Sequence, residues 1–265
     1  MNMHLYDILP RLQPYIKVIC SIESDGDGDT LSPFRVLPDT CVELFVNYIN
    51  AGQMITAGAV TIKQPQSFIT SRMSRYMDVH QAQKSGFIAV CFLPGAATHF
   101  FKHPMNEIAN SVIDLTDLWK NTAKEMEERV AEANSNSQRV AIIQQYLVDQ
   151  LASLQERDKV VEHWMWQVNF YKGQLPVEQL SRKVNLSQRQ LARRFNHSIG
   201  LSPKEFTRVT RFLHSLEHLK KYPSISLTEV AYECGYYDQA HFIHDYKEYA
   251  GCAPGELLAS PNILY

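Results

Sequence analysis

The densest run of chemistry-bearing side chains lies between Arg182 and Arg211. It holds Arg182, Lys183, Arg189, Arg193, Arg194, Lys204, Arg208 and Arg211 against the single acid Glu205. That window carries +7 on a chain whose net charge is −2, so the remainder sums to −9. A local cationic stripe on an acidic chain suits phosphate contact, although a solvated helix face would show the same charge. The residue types sharpen the choice. In SQRQLARRFNH (187–197), Leu191 and Phe195 stand at i,i+4 and predict an inward stripe. Gln188, Arg189, Gln190, Ala192, Arg193, Arg194 and Asn196 are left on the other face. Arg donates in pairs to guanine and Gln pairs with adenine, and either reaches phosphate. Nucleic-acid recognition is the chemistry this set can do.

Other groupings have suggestive spacing and fall short. Asp25, Asp27 and Asp29 open like a calcium loop, but positions 30 and 36 hold Thr30 and Val36 where the chelate needs glycine and glutamate. His99 and His103 stand at i,i+4, yet Phe100 occupies the position where a zinc protease motif needs glutamate. His80 is isolated, without the neighbouring histidine of a cupin metal pair. Cys20, Cys41, Cys91, Cys234 and Cys252 are odd in number and never spaced as C-x-x-C. Cys41 and Cys91 lie in apolar runs and read as inert buried thiols. No nucleophile elbow, P-loop or dinucleotide glycine pattern is present. The expectation is therefore a non-enzyme with no catalytic residue, no metal and no cofactor.

The elements that must hold the basic face can be read outward from it. Pro176 suits a first helical position, with Val177, Leu180 and Val184 as the inward stripe and Asn185-Leu186 as the turn. Ser187 then caps the helix that carries the arginines. After a turn at Gly200, Ser202 and Glu205 form a capping box around Pro203. A long helix follows, with Phe206, Val209, Leu213, Leu216 and Leu219 buried, and stops before Pro223. The pattern then repeats. SLTE (226–229) is a second capping box, Val230, Ala231 and Cys234 face inward, and Gly235 turns. Asp238 caps a helix with Phe242 and Tyr246 inside and Gln239, His241, His244, Asp245 and Lys247 outside. A last short helix starts at Pro254. This second unit is acidic, at −4 between Glu229 and Glu248.

The length of 265 residues suggests two domains, drawn at 1–154 and 160–260 with the charged run QERDK (155–159) between them. The upstream part reads as strands: VELFVNYI (42–49), MITAGAVTI (54–62) and GFIAVCFL (86–93), separated by turn signals. PGAATHFFKHP reads as a short helix, Asp114 or Thr116 opens another, and 122–133 favours helix. Ser137 to Leu154 is amphipathic through Ile143, Tyr146, Leu147, Leu151 and Leu154, a candidate dimer seam too short for a coiled coil. The fold class is α+β. No eighteen-residue apolar run exists, the N-terminus lacks a secretory pattern, and the cysteine usage fits a reducing cytoplasm.

The stretch LSQRQLARRFNHSIGLSPKEFTRVTRF, followed by SLTEVAYECGYYDQAHFIHDYKEYAGCAP, resembles the AraC/XylS family of bacterial regulators over about residues 160–260. The resemblance implies seven helices in which a long central helix holds two recognition helices, able to enter major-groove faces about one turn (roughly 34 Å) apart. It places base-reading slots on Arg189, Ala192 and Arg193 in helix 187–197, and on Gln239, Ala240, Ile243 and His244 in helix 238–249. The family commonly has arginine where this chain has His244, so the first helix is expected to read bases mainly and the second secondarily. Residues 37–119 resemble, more weakly, an uncharacterised sensory domain preceding such DNA-binding domains, usually a partial cupin-like β-barrel followed by helices. The implied partners are double-stranded DNA, RNA polymerase, a small-molecule effector and a second copy of the chain. Two rivals stand beside this reading: a barrel enzyme, for which the residues offer no constellation, and a protein-interaction module, favoured by the acidic second unit.

Overall fold

The fold is that of a computed structural model, which describes residues 2–24, 34–49, 54–57, 60–71, 74–80, 84–151, 158–181, 186–260 and 263–264. The N-terminal half is built on two sheets. Strands β1 (Asn2–Tyr6), β2 (Ile16–Ser24), β4 (Val42–Ile49), β7 (Ser67–Ser71), β9 (Ser85–Phe92) and β10 (Val112–Asp114) form an antiparallel sheet in the order β1-β2-β9-β4-β7-β10. The second sheet joins β3 (Phe34–Val36), β5 (Met54–Ala57), β6 (Val60–Lys63), β8 (Met77–His80) and β11 (Ile263–Leu264) in the order β11-β3-β8-β5-β6. The expected barrel is thus two open sheets; among the described residues no strand pairing closes one onto the other. The run 54–62 also divides. It is a hairpin, with Met54 opposite Lys63 and Ala57 opposite Val60, not one strand.

Alternation along the strands explains how the large sheet is buried on both faces. In β4, Val42, Leu44 and Val46 enter the main core, while Phe45 lies on the other face. The first face is covered by α2 (Leu115–Trp119), α3 (Asn121–Glu132) and α4 (Asn136–Gln150), through Leu115, Met126, Val130, Val140, Ile143 and Leu147. Asp114 caps α2 by accepting from the Thr116 N–H, and Ser135 caps α4 through the Gln138 N–H. On the other face Phe45 stacks on Phe68, and Met77 of β8 packs beside them. The segment 94–104 makes only a 3-10 turn (Ala96–His99), so His103 falls beyond its end and the two histidines share no helix face. A four-residue helix, α1 (Met105–Ile108), follows.

Among the described residues the C-terminal part has seven helices: α5 (Lys159–Phe170), α6 (Val177–Ser181), α7 (Gln188–Ile199), α8 (Pro203–Lys221), α9 (Leu227–Glu233), α10 (Gln239–Ala250) and α11 (Pro254–Ala259). The capping boxes stand at Ser202/Glu205 and Ser226/Glu229, and α8 ends at Lys221 with Tyr222 as its C-cap, ahead of Pro223. Pro176 precedes α6 instead of opening it. In α8 Leu213, expected to be buried, is only half-buried, and Phe212 fills the core instead. No helix among the described residues is long and apolar enough to cross a membrane.

The hydrophobic cores do not follow the division between strands and helices. Trp164, Leu191, Phe195, Ile199 and Phe206 belong to one cluster with the N-terminal core. Val209, Phe212, Leu216, Val230, Phe242, Tyr246 and Tyr249 form a second cluster, and it takes in Leu37 from the N-terminal half. Burying a leucine stabilises by about 1.5–3 kcal/mol, so this single side chain is a material link between the halves.

Candidate nucleic-acid interface

Helix α7 is fixed at both ends and along one side. The Ser187 hydroxyl accepts from the Gln190 N–H at 3.3 Å, and Gln190 Oε1 accepts from the Ser187 N–H at 3.0 Å. Leu191 and Phe195 are buried, Phe195 meeting Trp164 and Phe206 edge to face at 5.0 and 5.3 Å. Gly200 ends the helix. Gln188, Arg189, Arg193 and Asn196 remain exposed, and Ala192 is half-buried. Arg189 and Arg193 make no ion pair among the described residues. Two of the predicted contributors are already engaged. Gln190 has its amide oxygen in the cap, and Arg194 Nη1 lies 3.5 Å from Asp158 Oδ1, the cap of α5. Arg182, Lys183, Val184 and Asn185, with the turn they were expected to form, lie outside the described residues, as do residues 152–157 and the aspartates at 25–29.

The second unit repeats the scheme. Asp238 caps α10 by accepting from the His241 N–H at 2.7 Å. Phe242, Tyr246 and Tyr249 face inward, and the Tyr246 hydroxyl shares a hydrogen bond with Ser215 Oγ at 3.1 Å. Ala240 and His244 are exposed, with the His244 side chain 70% accessible; Gln239 and Ile243 are half-buried. Gln239 Oε1 accepts from the Thr228 hydroxyl at 2.7 Å, which occupies the acceptor of its amide at the surface.

Asp245 is not outside. Its side chain has no accessible surface, and it accepts from Arg208 Nη2 at 2.6 Å, with Arg211 Nη2 at 3.7 Å. Arg208 Nη2 also donates to Glu248 Oε2 at 2.6 Å. Burial works against the charge on Arg208, but hydrogen bonds to Glu248 and Asp245 outweigh it and its pKa is raised. The reason is steric as well as electrostatic. Residue 245 sits three positions after Phe242, so it shares the face that packs on α8. The other acids of this unit are engaged too. Glu229 closes the α9 cap, and its hydrogen bonds from Ser226 lower its pKa. Asp238 caps α10, and the Glu233 carboxylate is 2.7 Å from His218 Nε2. The acidic balance of the second unit is thus spent largely within the fold, and the basic stripe loses Arg208 and Arg211 to the same network.

Sequence reasoning missed the attachments to the N-terminal half. Arg35 pairs with Asp78 through two bonds of 2.8 and 3.0 Å, stacks 4.2 Å from the Tyr76 ring, and donates to the Ala250 carbonyl at the end of α10 at 3.0 Å. At the other unit α1 packs on α7, and Gly95 (φ +77°) sits so close to Ile199 that an added Cβ would be 2.8 Å from its Cδ1. A cleft of about 580 Å³ opens beside this contact, lined by Lys102 and His103 from one half and Asp158, Glu162, Met165 and His197 from the other. No local signal marks these pairings; they follow from docking alone.

Residues 180–260 match a family described as a helix-turn-helix domain, and residues 9–114 match a domain of unknown function, DUF6597. The transcriptional regulator GbdR of Pseudomonas aeruginosa is 34% identical over 95 residues, 34% of this chain and 26% of that protein. The lactose operon transcription activator of Staphylococcus xylosus is 26% identical over 149 residues, 51% of this chain and 53% of that protein. The chain thus matches about a quarter of the length of the first of these relatives. Among solved structures, ToxT from Vibrio cholerae aligns over 98% of both chains at 13% identity, with a TM-score of 0.48.

Proposed function

We propose, from the premise that residues 180–260 are a helix-turn-helix domain of the AraC/XylS type, that the chain is a sequence-specific DNA-binding transcription regulator and not an enzyme. Helix α7 is the principal reader of the major groove and α10 the secondary one. The observation that carries this is the state of Arg189 and Arg193: exposed, unpaired among the described residues, and projected from a helix locked by a capping box and a buried aromatic face. A guanidinium held this way can donate in pairs to guanine without leaving another partner. Helix α10 offers Ala240, Ile243 and His244, suited to methyl contact and a single hydrogen bond.

The same proposal gives the N-terminal domain an effector-sensing role, with the cleft between the halves as the place where a small molecule would touch both. A second copy of the chain, RNA polymerase and a cytoplasmic setting belong to it as well. The test is binding to a selected operator duplex at several salt concentrations. A regulator of this kind shows a log–log salt slope of several phosphate charges. Arg193→Ala costs about 1–3 kcal/mol of specific affinity and relaxes one base position. A slope near zero, or unchanged affinity and specificity in Arg193→Ala, refutes the assignment.

A further inference from the structure

The geometry points to a divalent-metal site of the zinc class in the N-terminal domain, held by the Cys41 and Cys91 thiolates and the Asp39 carboxylate. Cys91 lies 50 positions beyond Cys41, which is why the cysteines read as separate inert thiols. Pairing of β4 with β9 brings them together, and one ligand atom from each lies within 4.8 Å of the other two. Cys41 and Cys91 are 3% and 7% accessible, and Asp39 is half-buried. The turn between β3 and β4 sets the first two ligands: Asp39 Oδ1 accepts from the Cys41 N–H at 3.1 Å. Thr40, between them, has φ +63°. A β-branched residue in that left-handed region costs about 1–3 kcal/mol, so the turn is held against its own preference.

Distances favour a bridging ion over a disulfide. Two zinc–sulfur bonds of about 2.3 Å at a tetrahedral angle place the sulfurs about 3.8 Å apart, within about 1 Å of the present bound. A disulfide needs sulfurs about 2.05 Å and Cβ atoms about 3.8 Å apart. The register partner of Cys91 is Glu43, so Cys41 stands diagonally across the ladder. Such diagonal neighbours are typically about 7 Å apart. A borderline-soft ion takes two sulfurs and an oxygen, with water in the fourth position.

The site is independent of the DNA-binding reading and is tested without DNA. Reduced full-length protein is titrated with Cd2+, reading the thiolate-to-metal charge-transfer band in the ultraviolet, then with Zn2+ against a chromophoric chelator. One equivalent is expected to saturate the band. Cys41→Ser and Cys91→Ser should abolish it, Asp39→Asn should weaken affinity about tenfold or more, and Cys252→Ser should leave it unchanged. Far-UV circular dichroism checks folding; Asp39→Asn keeps size and an acceptor for the Cys41 N–H, so it decides the matter if the serine variants unfold. No saturable band, a band that survives Cys41→Ser, full affinity in folded Asp39→Asn, or loss of two hydrogens in intact mass without metal uptake each overturns the proposal.

Discussion

Replacing Arg208 with methionine separates two accounts of the basic stripe. Charge counting makes Arg208 one more phosphate ligand; the structure makes it the counterion of Asp245, whose side chain is fully buried. Removing one member of a buried pair costs about 3–5 kcal/mol, because the survivor is left charged in a poor solvent. Here Arg211 stays 3.7 Å from the other carboxylate oxygen, and Arg208 is itself 23% accessible, so the lower end applies. We expect a loss of about 3 kcal/mol. With a urea m-value of about 2 kcal/mol/M, the unfolding midpoint falls by about 1.5 M. Trp164, buried in α5 against Phe195 of α7, reports the transition by fluorescence. Arg208→Met with Asp245→Leu should recover part of the loss, since the buried carboxylate is then gone and Arg211, 13% accessible, keeps only its stacking on Tyr236. The reasoning fails if Arg208→Met stays within about 0.5 kcal/mol of the parent while the salt slope of DNA binding drops by about 0.9. That pair of results would make Arg208 a phosphate contact after all.

Gly173→Ala should destabilise by about 3 kcal/mol or more in the same urea assay, because φ is +68° and a Cβ would stand 2.5 Å from the Thr207 carbonyl oxygen and 2.7 Å from the Arg211 nitrogen. His214 is held below its ordinary pKa of 6.5 by burial first, then by Lys172 and His218. As pH falls below that value the unfolded chain takes up a proton that the folded one refuses, so stability should decline until pH passes the lowered pKa. Urea midpoints at about pH 7.5 and about pH 5.5 should differ less in His214→Gln than in the parent; an equal difference refutes the assignment. Arg35→Ala removes the donor to the Ala250 carbonyl, and hydrogen exchange at the end of α10 should quicken while that of α9 stays unchanged.

What the sequence made legible follows the range of each signal. The capping boxes at Ser202/Glu205 and Ser226/Glu229 and the cap at Asp238 act within one helical turn, and they stand where the residue types put them. The run 42–49 carries enough β-branched and aromatic residues to define β4 to the residue. The run 54–62 misled because no proline or charged residue divides it, yet its two ends pair antiparallel with Ala57 opposite Val60. Asp245 misled because a charge on a helix is assumed to face water. Only the arrival of Arg208, 37 positions away, makes its burial tolerable. The exposed polar face of α7 was legible from i,i+4 spacing, whereas the occupation of Gln190 and Arg194 depends on caps and neighbours that composition does not reveal.

The two contacts with the N-terminal half fall on corresponding places. Ile199 lies at the last turn of α7 against Gly95, and Ala250 at the last turn of α10 against Arg35. Helices α7 and α10 are therefore each gripped at the end away from the cap, by residues of the N-terminal half. On the proposed function that half would work as a calliper. The separation and tilt of the two helix tips would be set by its opening as well as by α8, and a small yield at either jaw would change which spacing of half-sites can be spanned. For a chain of this design, ligand sensing would select operators by the distance between their halves while every base-contacting side chain stays as it was. Substitutions that change spacing preference should then map to Gly95, Arg35, Tyr76 and Asp78, and not to the reading helices.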